Sequence, residues 1–264
     1  MRIAALFVHP IKSGRAVEVE RAGVTGLGLE HDRRFMVVDP RGRFVTQREH
    51  PALARVSAHV EGSELHLVGD DRREVVVPTK GPGDVVRASV WGDDVEAIDC
   101  GAAAAGLLTN HLGTPARLVR MGADTARPVD PVHGQPGDLV SFADGFPLLI
   151  VTQASIRAVL AAAGAALDAR RFRPNVVVEG AAAFDEDGWL ELRLGQVRVD
   201  IVKPCGRCAV VDVDPDLGER APGVLAELGR TRKRGGSAIF GQNAIPRGEG
   251  TLHVGDEVVV TRRA

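Results

Sequence analysis

The chain of 264 residues has only 3 cysteines, no long apolar run and almost no excess charge, its formal net charge being -2. So few cysteines exclude a disulfide-rich secreted scaffold and suit a protein of the reducing cytoplasm. The small net charge gives no overall basic field that would recruit nucleic acid. The apolar run within residues 1–10 is too short for a signal peptide or a membrane anchor. We therefore expect a cytoplasmic protein that binds neither nucleic acid nor membrane.

Several motifs of hydrolytic enzymes and metal sites are also missing. The chain has no His-Glu-x-x-His and no Gly-x-Ser-x-Gly sequence, so zinc-protease and serine-hydrolase activities have no support. Cys205 and Cys208 form a Cys-x-x-Cys pair, but the chain contains no second pair. A structural zinc site needs four ligands, so this pair does not predict a zinc knuckle.

What the chain does contain is a series of short strand-like segments. Its 44% hydrophobic and 26% charged residues are typical of a soluble globular protein. Alternating or β-branched runs, among them residues 43–47 and 208–213, are separated by turn-forming Gly, Pro and Asp. Ala102–Leu112 and the segment after Thr152 predict helices. The fold class we expect is mainly β with a few helices (α+β), built as two β-barrel-like halves.

The Cys-x-x-Cys pair is the most distinctive motif, because Arg207 stands between the two thiols. A thiolate binds soft metals well, and a neighbouring arginine favours the ionised thiol. We expect Cys208 to be the residue that contacts a metal. Two other interpretations stay open: a pair of small buried residues where two strands meet, and a dithiol redox couple.

Cationic residues in three other segments suggest an anionic ligand. The loop after the first strand carries Lys12 and Ser13, which could hold a phosphate. Strand alternation would send Arg33 and Arg34 to opposite faces, and Arg173 comes before a proline at the start of a strand. Each segment alone could be a solvated turn or a surface ion pair of little energetic value. Together with a thiolate, they suit a ligand that carries both a phosphate and a metal.

Seven short motifs, in this order, give the chain a resemblance to a known family. They are HPIKS at 9–13, DRRF at 32–35, DCG at 99–101, FRPN at 172–175, RC at 207–208, VDPD at 213–216 and FGQ at 240–242. The chain resembles MOSC-domain proteins that carry an N-terminal MOSC barrel domain, similar to the amidoxime-reducing component. This resemblance implies an N-terminal barrel domain over residues 1–122 and a MOSC domain over residues 123–264, with a cofactor site between them.

The cofactor implied by the resemblance is the molybdenum cofactor, a pterin dithiolene with a terminal phosphate. Pyridoxal phosphate binding is also implied, at the level of the family only. Cys208 matches the cysteine whose thiolate ligates molybdenum, and Asp214 matches an acidic residue near the metal. Asn175 matches a polar residue close to the cofactor, and Asn243 occupies a position that also contacts it. The residues that match those holding the pterin and its phosphate are Lys12, Ser13, Arg33, Arg173 and Arg207.

Two departures from the family pattern concern the surroundings of the metal. Where many relatives have two threonines, this chain has Val211 and Asp212, and Asn243 stands where relatives often have an aromatic residue. These changes bear on substrate preference more than on cofactor binding. Asp212 or Asp214 is a candidate proton source, and the alternative for either carboxylate is an ion pair with Arg207.

The resemblance implies a molybdenum-dependent reductase of N-hydroxylated small molecules such as amidoximes and hydroxylamines. The 264 residues contain no cysteine cluster for an iron–sulfur centre, so the implied electron donor is a separate iron–sulfur or flavin protein. A second hypothesis is a protein that carries the cofactor or sulfur without turnover. The family also has a cysteine matching Cys100, which we expect to be buried and structural.

Overall fold

The computed structural model describes the whole chain, from Met1 to Ala264. Strands dominate it, so the prediction of a mainly β fold with a few helices is confirmed. The strands are β1 (Arg2–Val8), β2 (Val17–Val19), β3 (Arg21–Thr25), β4 (Gly28–Leu29), β5 (Phe35–Val38), β6 (Ser57–Glu61), β7 (Glu64–Val68), β8 (Glu74–Pro78), β9 (Val85–Val90), β10 (Asp93–Asp99), β11 (Arg117–Met121), β12 (Leu148–Thr152), β13 (Val176–Glu179), β14 (Trp189–Leu194), β15 (Val197–Gly206), β16 (Lys233–Arg234), β17 (Ser237–Pro246), β18 (Gly250–His253) and β19 (Val258–Arg263). The helices are α1 (Ala102–Leu112), α2 (Gln153–Ala162) and α3 (Val224–Thr231), with short 3-10 helices at Pro51–Arg55, Ala169–Phe172, Asp185–Gly188 and Ala209–Asp212.

The largest sheet combines strands from both ends of the chain. Its order is β19-β14-β15-β17-β12-β13-β1-β2, and β16 pairs with β17. β1 runs antiparallel to β13, whereas β12 runs parallel to β13. In a separate three-stranded sheet, β3 pairs with β18. The first strands therefore fold onto the second half of the chain, and the division of the domains after residue 122 remains a prediction.

The remaining strands of the first half form two smaller sheets, β5-β11-β10-β9 and β6-β7-β8. β7 shows why these segments become strands, since Leu65 and Leu67 are buried while Glu64, His66 and Val68 are not. This alternation places both leucines in the apolar core beneath α1. Burial of each such side chain stabilises the fold by about 1.5–3 kcal/mol.

Both predicted helices are confirmed. α1 ends at Gly113, which caps it in the left-handed conformation with φ 66°. The Thr152 side chain accepts a hydrogen bond from the Ser155 N–H at 3.1 Å and so caps α2. Ile156 and Leu160 lie on the buried face of α2. None of the three helices is long and apolar enough to cross a membrane.

Two predicted strands are wrong. Residues 43–47 make only isolated bridges, at Arg43 and Phe44, because the chain then turns back through a hydrogen bond from the His50 N–H to the Thr46 carbonyl. Within residues 208–213, Ala209–Asp212 forms a 3-10 helix. The turn buries Val211 completely against the core that contains α3, which an extended strand would not do.

Candidate functional site

Strand ends from distant parts of the chain meet at one edge of the large sheet. The end of β1 lies near the start of β13 because the two strands are antiparallel, with Leu6 opposite Val176. β12 begins at the same edge because it runs parallel to β13, with Ile150 opposite Val176. In β17, Asn243 lies opposite Leu149. The segments that adjoin these strand ends line a single cleft.

This cleft has a volume of about 820 Å³, counting its mouth that is open to solvent. Most residues singled out in the sequence line the cleft, namely Lys12, Ser13, Arg33, Arg173, Asn175, Arg207, Cys208 and Asn243. The fold therefore brings together five segments that are separated in sequence.

The two cysteines of the Cys-x-x-Cys pair both line the cleft. Cys205 is the next-to-last residue of β15, and Cys208 directly precedes the 3-10 helix Ala209–Asp212. Both thiols are half-buried and free of disulfide bonds. The pair therefore lies between a strand and a helical turn, and not between two strands as predicted.

Arg207 makes a hydrogen bond to one of the two cysteines. Its Nη1 donates to the Sγ of Cys205 at 3.1 Å, and its Nη2 donates to the Phe172 carbonyl at 2.7 Å. Its Nε is buried without a hydrogen-bond partner. The sequence left open which of the two thiols Arg207 contacts, and the structure gives it a contact with Cys205.

The two acidic residues predicted near the metal lie outside the cleft. The Oδ1 of Asp212 accepts a hydrogen bond from the Leu225 N–H at 3.0 Å and so holds the start of α3. Asp214 pairs with Arg171 at 2.8 Å. The backbone N–H of Leu217 and the Arg171 charge lower the pKa of Asp214. Neither carboxylate pairs with Arg207, so the ion pair considered for them is absent.

Lys12 is almost fully buried at the cleft floor. Its Nζ donates to the Phe142 carbonyl at 2.9 Å and to Asp144 Oδ1 at 2.5 Å. Burial lowers the pKa of Lys12, and Asp144 only partly opposes that shift. The Asp144 side chain lines the cleft and is 72% exposed. Desolvation opposes the ionisation of Asp144, but Lys12 and the Trp91 indole outweigh it and hold the pKa of Asp144 well below its ordinary value.

Arg33 reaches the cleft from a turn and not from a strand. Its backbone has φ 49°, and β5 begins only at Phe35. The guanidinium donates to Asp32 at 2.6 Å, to the Asn175 side chain at 3.2 Å and to the Arg173 carbonyl at 3.1 Å. Arg34 instead donates to the Thr25 hydroxyl at 3.3 Å and does not line the cleft. The two arginines therefore diverge as predicted, but from a left-handed turn and not through strand alternation.

Two buried residues next to Arg33, Asp32 and His9, support its position. The Asp32 carboxylate is fully buried and also accepts a hydrogen bond from the His9 backbone N–H at 2.8 Å. His9 lies against the Pro174 carbonyl, with 3.1 Å from Nε2 to the oxygen. Burial, with the charges of Arg33 and Arg173, holds the pKa of His9 well below its ordinary value. His9 is therefore neutral and links the β1 loop to the segment before β13.

Arg173 is a half-buried cation without a carboxylate partner. It has φ 53°, and its Nη1 donates to the Gly14 carbonyl at 2.6 Å while Nη2 is buried without a partner. Burial and the nearby Arg33 lower the pKa of Arg173 to about 9. A half-buried cation with an unused donor is a natural receptor for an anion.

The two asparagines differ in how much of their amide is available. Asn175 Oδ1 accepts from the Leu149 N–H at 3.0 Å and from Arg33, and its Nδ2 donates to the Phe7 carbonyl at 3.3 Å. Its amide therefore ties β1, β12 and Arg33 together. Asn243 has no hydrogen bond from its side chain in the structure, although it lines the cleft.

Sequence reasoning missed Asp144 and Arg48, which also line the cleft. Asp144 lies in a loop before Gly145 and the buried strand β12, a position that could have marked it as polar at a strand start. Arg48 falls just after residues 43–47, which were wrongly taken as a strand. Its position became visible only from the fold.

Comparisons with known proteins agree with this geometry. The description "MOSC N-terminal beta barrel domain" matches residues 1–115, and "MOSC domain" matches residues 137–259. Mitochondrial amidoxime-reducing component 1 of Danio rerio is 35% identical to this chain over 97% of the chain and 83% of that relative. The Homo sapiens component 1 is 32% identical over 97% of the chain and 82% of that protein. Mitochondrial amidoxime reducing component 2 of Homo sapiens is 37% identical over 82% of the chain and 68% of that protein. The chain therefore belongs to the family of MOSC-domain proteins that includes the amidoxime-reducing components.

Proposed function

We propose that this chain binds the molybdenum cofactor in the cleft and with it reduces N-hydroxylated compounds. The observation that carries the proposal is one thiol, Cys208, in the same cleft as two guanidinium groups, Arg173 and Arg207, which have no carboxylate partner. The relatives are named for amidoxime reduction, and the same substrate class is proposed for this chain.

The donor set of the cleft fits this cofactor. Arg173 Nη2 and Arg207 Nε are buried donors without partners, and a phosphate oxygen would satisfy such groups. The side chains form no cluster of three or more His, Cys, Asp or Glu that could hold a metal. A metal at Cys208 must therefore bring ligands with it, as the two sulfurs of a dithiolene do. A thiolate is also the protein ligand that suits a soft metal.

Each residue of the cleft takes a role that follows from its contacts. Cys208 would ligate molybdenum, while Arg173 and Arg207 would hold the phosphate with their unused donors. Lys12, Ser13 and Arg33 line the same cleft and would complete the polar wall around the pterin. When bound, the cofactor supplies the two electrons that reduce the N–O bond of the substrate.

The overall reaction is R–NHOH + 2 e⁻ + 2 H⁺ → R–NH₂ + H₂O, with electrons from a separate donor protein. Asp144 stays ionised at neutral pH because its pKa is held low, so it accepts hydrogen bonds from substrate N–H groups and donates no proton. Asp212 and Asp214 are outside the cleft and do not serve as the proton source. The two protons would enter from solvent through the open mouth of the cleft.

The proposal is tested by turnover. The protein is prepared from a molybdenum-replete host and mixed with a chemical reductant and an aromatic amidoxime, and the amidine product is measured. We expect turnover by the wild type and none by Cys208→Ala. A fully loaded wild-type protein that produces no amidine would contradict reductase activity. If that protein instead delivered its pterin to an apo-enzyme, the carrier hypothesis would replace the proposal.

A further inference from the structure

Trp91 has a backbone conformation that its large side chain disfavours. It is the first residue of the two-residue loop between β9 and β10, where Val90 pairs with Asp93. Its φ is 57°, in the left-handed region. Hairpin loops that begin with a positive φ usually place Gly or Asn there, and a bulky residue is an outlier. Such strain concentrates at functional sites, so the turn itself does not explain this tryptophan.

The contacts of the indole point to the mouth of the cleft and not to the core. Its Nε1 donates to Asp144 Oδ1 at 3.2 Å, and its ring lies 5.3 Å from the ring of Phe44. The residue remains 49% exposed, whereas the only other tryptophan, Trp189, is 1% exposed in the core. Trp91 therefore gains little from burial and forms a fixed aromatic surface beside Asp144.

Arg48 lies on this aromatic surface. Its Cζ is 4.6 Å from the Trp91 ring centroid and 5.9 Å from that of Phe44. The guanidinium makes no hydrogen bond and no ion pair in the structure, and the residue lines the cleft. A guanidinium stacked on an aromatic ring keeps its planar edge free for hydrogen bonds. Arg48 is thus an oriented cation without a partner.

The balance of charges in the cleft leaves Arg48 to bind a group other than the phosphate of the cofactor. Lys12 and Arg33 already pair with carboxylates. Arg173 and Arg207 provide two positive charges, which match the roughly −1.5 to −2 charge of a phosphate monoester. Arg48 is the remaining cation of the cleft, and it is held by the aromatic pair Phe44 and Trp91.

We propose that Arg48, oriented by Trp91, binds a carboxylate on the substrate, so that the chain prefers N-hydroxylated compounds that carry a carboxylate group. The preference rests on the proposed function, because it concerns the substrate of that same cleft. Trp91 is a positioning residue: its ring orients Arg48. A planar carboxylate matches the paired N–H groups of a guanidinium better than a neutral substituent does.

Binding without turnover tests Arg48 independently of the reductase activity. An aromatic amidoxime with a para-carboxylate is titrated into the molybdenum-loaded protein without reductant, and Trp91 fluorescence is followed. Its methyl ester is the neutral control. We expect the wild type to bind the carboxylate on the order of tenfold more tightly than the ester, and Arg48→Gln to lose this difference. Equal affinity of the wild type for both compounds would overturn the proposal.

Steady-state kinetics then separate this inference from the proposed function. The ratio of kcat/KM for the carboxylate over the ester should fall about tenfold in Arg48→Gln, with partial rescue in Arg48→Lys. If Arg48→Gln instead lost molybdenum and pterin, Arg48 would belong to the cofactor site and the inference would fail while the function stands. If the wild type turned over neither compound, the function would fail, and the fluorescence titration would still decide on Arg48.

Two variants of Trp91 test the positioning role. Trp91→Gly relieves the positive φ, so we expect an unchanged or higher melting temperature together with a loss of carboxylate preference. Trp91→Phe keeps an aromatic surface for Arg48 and should retain most of the preference. A marked fall in melting temperature for Trp91→Gly with the preference intact would show that the indole is structural.

Discussion

Apart from Arg48, the cations of the cleft fall into two groups that differ in their partners. Lys12 and Arg33 pair with the carboxylates of Asp144 and Asp32. Arg173 and Arg207 donate only to carbonyl oxygens and to the Cys205 sulfur. The first pair of cations has its charge balanced within the protein, so those residues hold the cleft together. The second group leaves positive charge and unused donors for a ligand.

This comparison predicts opposite consequences of removing a charge from each group. In the balanced group, loss of one partner leaves a buried charge without compensation. In the unbalanced group, loss of the cation removes a cost of folding and a ligand contact at the same time. The experiments that follow test this contrast, starting with the largest expected change.

Removing the Asp32 carboxylate should have the largest effect on stability. Asp32 is fully buried and holds both Arg33 and the His9 N–H. Breaking a buried ion pair from one side typically costs about 3–5 kcal/mol. We expect Asp32→Asn to lower the free energy of unfolding in urea by about that amount. Asp216→Asn, which removes a half-exposed carboxylate, is the control and should cost less than about 1 kcal/mol. If Asp32→Asn and Asp216→Asn lowered the free energy of unfolding equally, the Asp32 carboxylate would not be balancing the Arg33 charge.

Asp144→Asn should have a smaller effect, because this carboxylate faces solvent in the cleft. The substitution leaves the buried Lys12 ammonium without a counter-charge. We expect a cost of about 1–3 kcal/mol in urea unfolding. A double variant with Lys12→Met should recover part of that loss, since the uncompensated charge is then gone. Additive losses in the double variant would contradict the pairing.

Arg173→Met should leave the ligand-free protein at least as stable as the wild type, because it removes the cost of desolvating a guanidinium that has no carboxylate partner. The stabilisation by inorganic phosphate, measured as a rise in melting temperature, should disappear in this variant. A full phosphate effect in Arg173→Met would place the anion elsewhere.

The pH dependence of the phosphate effect follows from the same residue. Burial lowers the folded-state pKa of Arg173 to about 9, below its ordinary value. The cost of burying this charge is present below pH 9 and is relieved as pH rises through the folded pKa, so stability of the ligand-free protein rises there. The phosphate-induced shift in melting temperature should fall over the same range. A shift that stays constant from pH 7 to pH 10 would contradict a titrating Arg173.

Cysteine reactivity gives the smallest expected change and compares the cleft thiols with Cys100. Burial raises the pKa of Cys100 to about 12, and the residue packs against the core beneath α1. Cys205 and Cys208 face the cleft. Mass spectrometry after brief alkylation at pH 8 should find label on the Cys-x-x-Cys peptide and none on Cys100. Rapid labelling of Cys100 would contradict its structural role.

Residue patterns within an element predicted those elements that are stabilised by residues close together in the sequence. α1 begins and ends where its alanine-rich run and Gly113 indicated, and Thr152 caps α2 as its residue type implied. The short motifs also contain eight of the 20 residues that line the cleft. Local patterns failed where a long-range contact decided the structure, as in the 3-10 helix that buries Val211 and turns Asp212 toward α3.

Pairing partners were not predictable from the sequence for the same reason. Asp144, which neutralises Lys12, lies 132 positions from it in the chain. Trp91, whose ring lies under Arg48, is about 43 positions from Arg48. Nothing near Lys12 indicates Asp144, and nothing near Arg48 indicates Trp91. A positive φ at Arg33 and Arg173 likewise arises from the packing of turns, not from residue type.

Molybdenum content tests the role of Cys208 most directly. Wild type, Cys208→Ala and Cys205→Ala are purified from the same molybdenum-replete host, and metal and pterin are quantified per chain. We predict molybdenum in the wild type and in Cys205→Ala, and its loss in Cys208→Ala. Full molybdenum occupancy in Cys208→Ala, or equal loss in both variants, would contradict a cleft in which this one thiol ligates the metal.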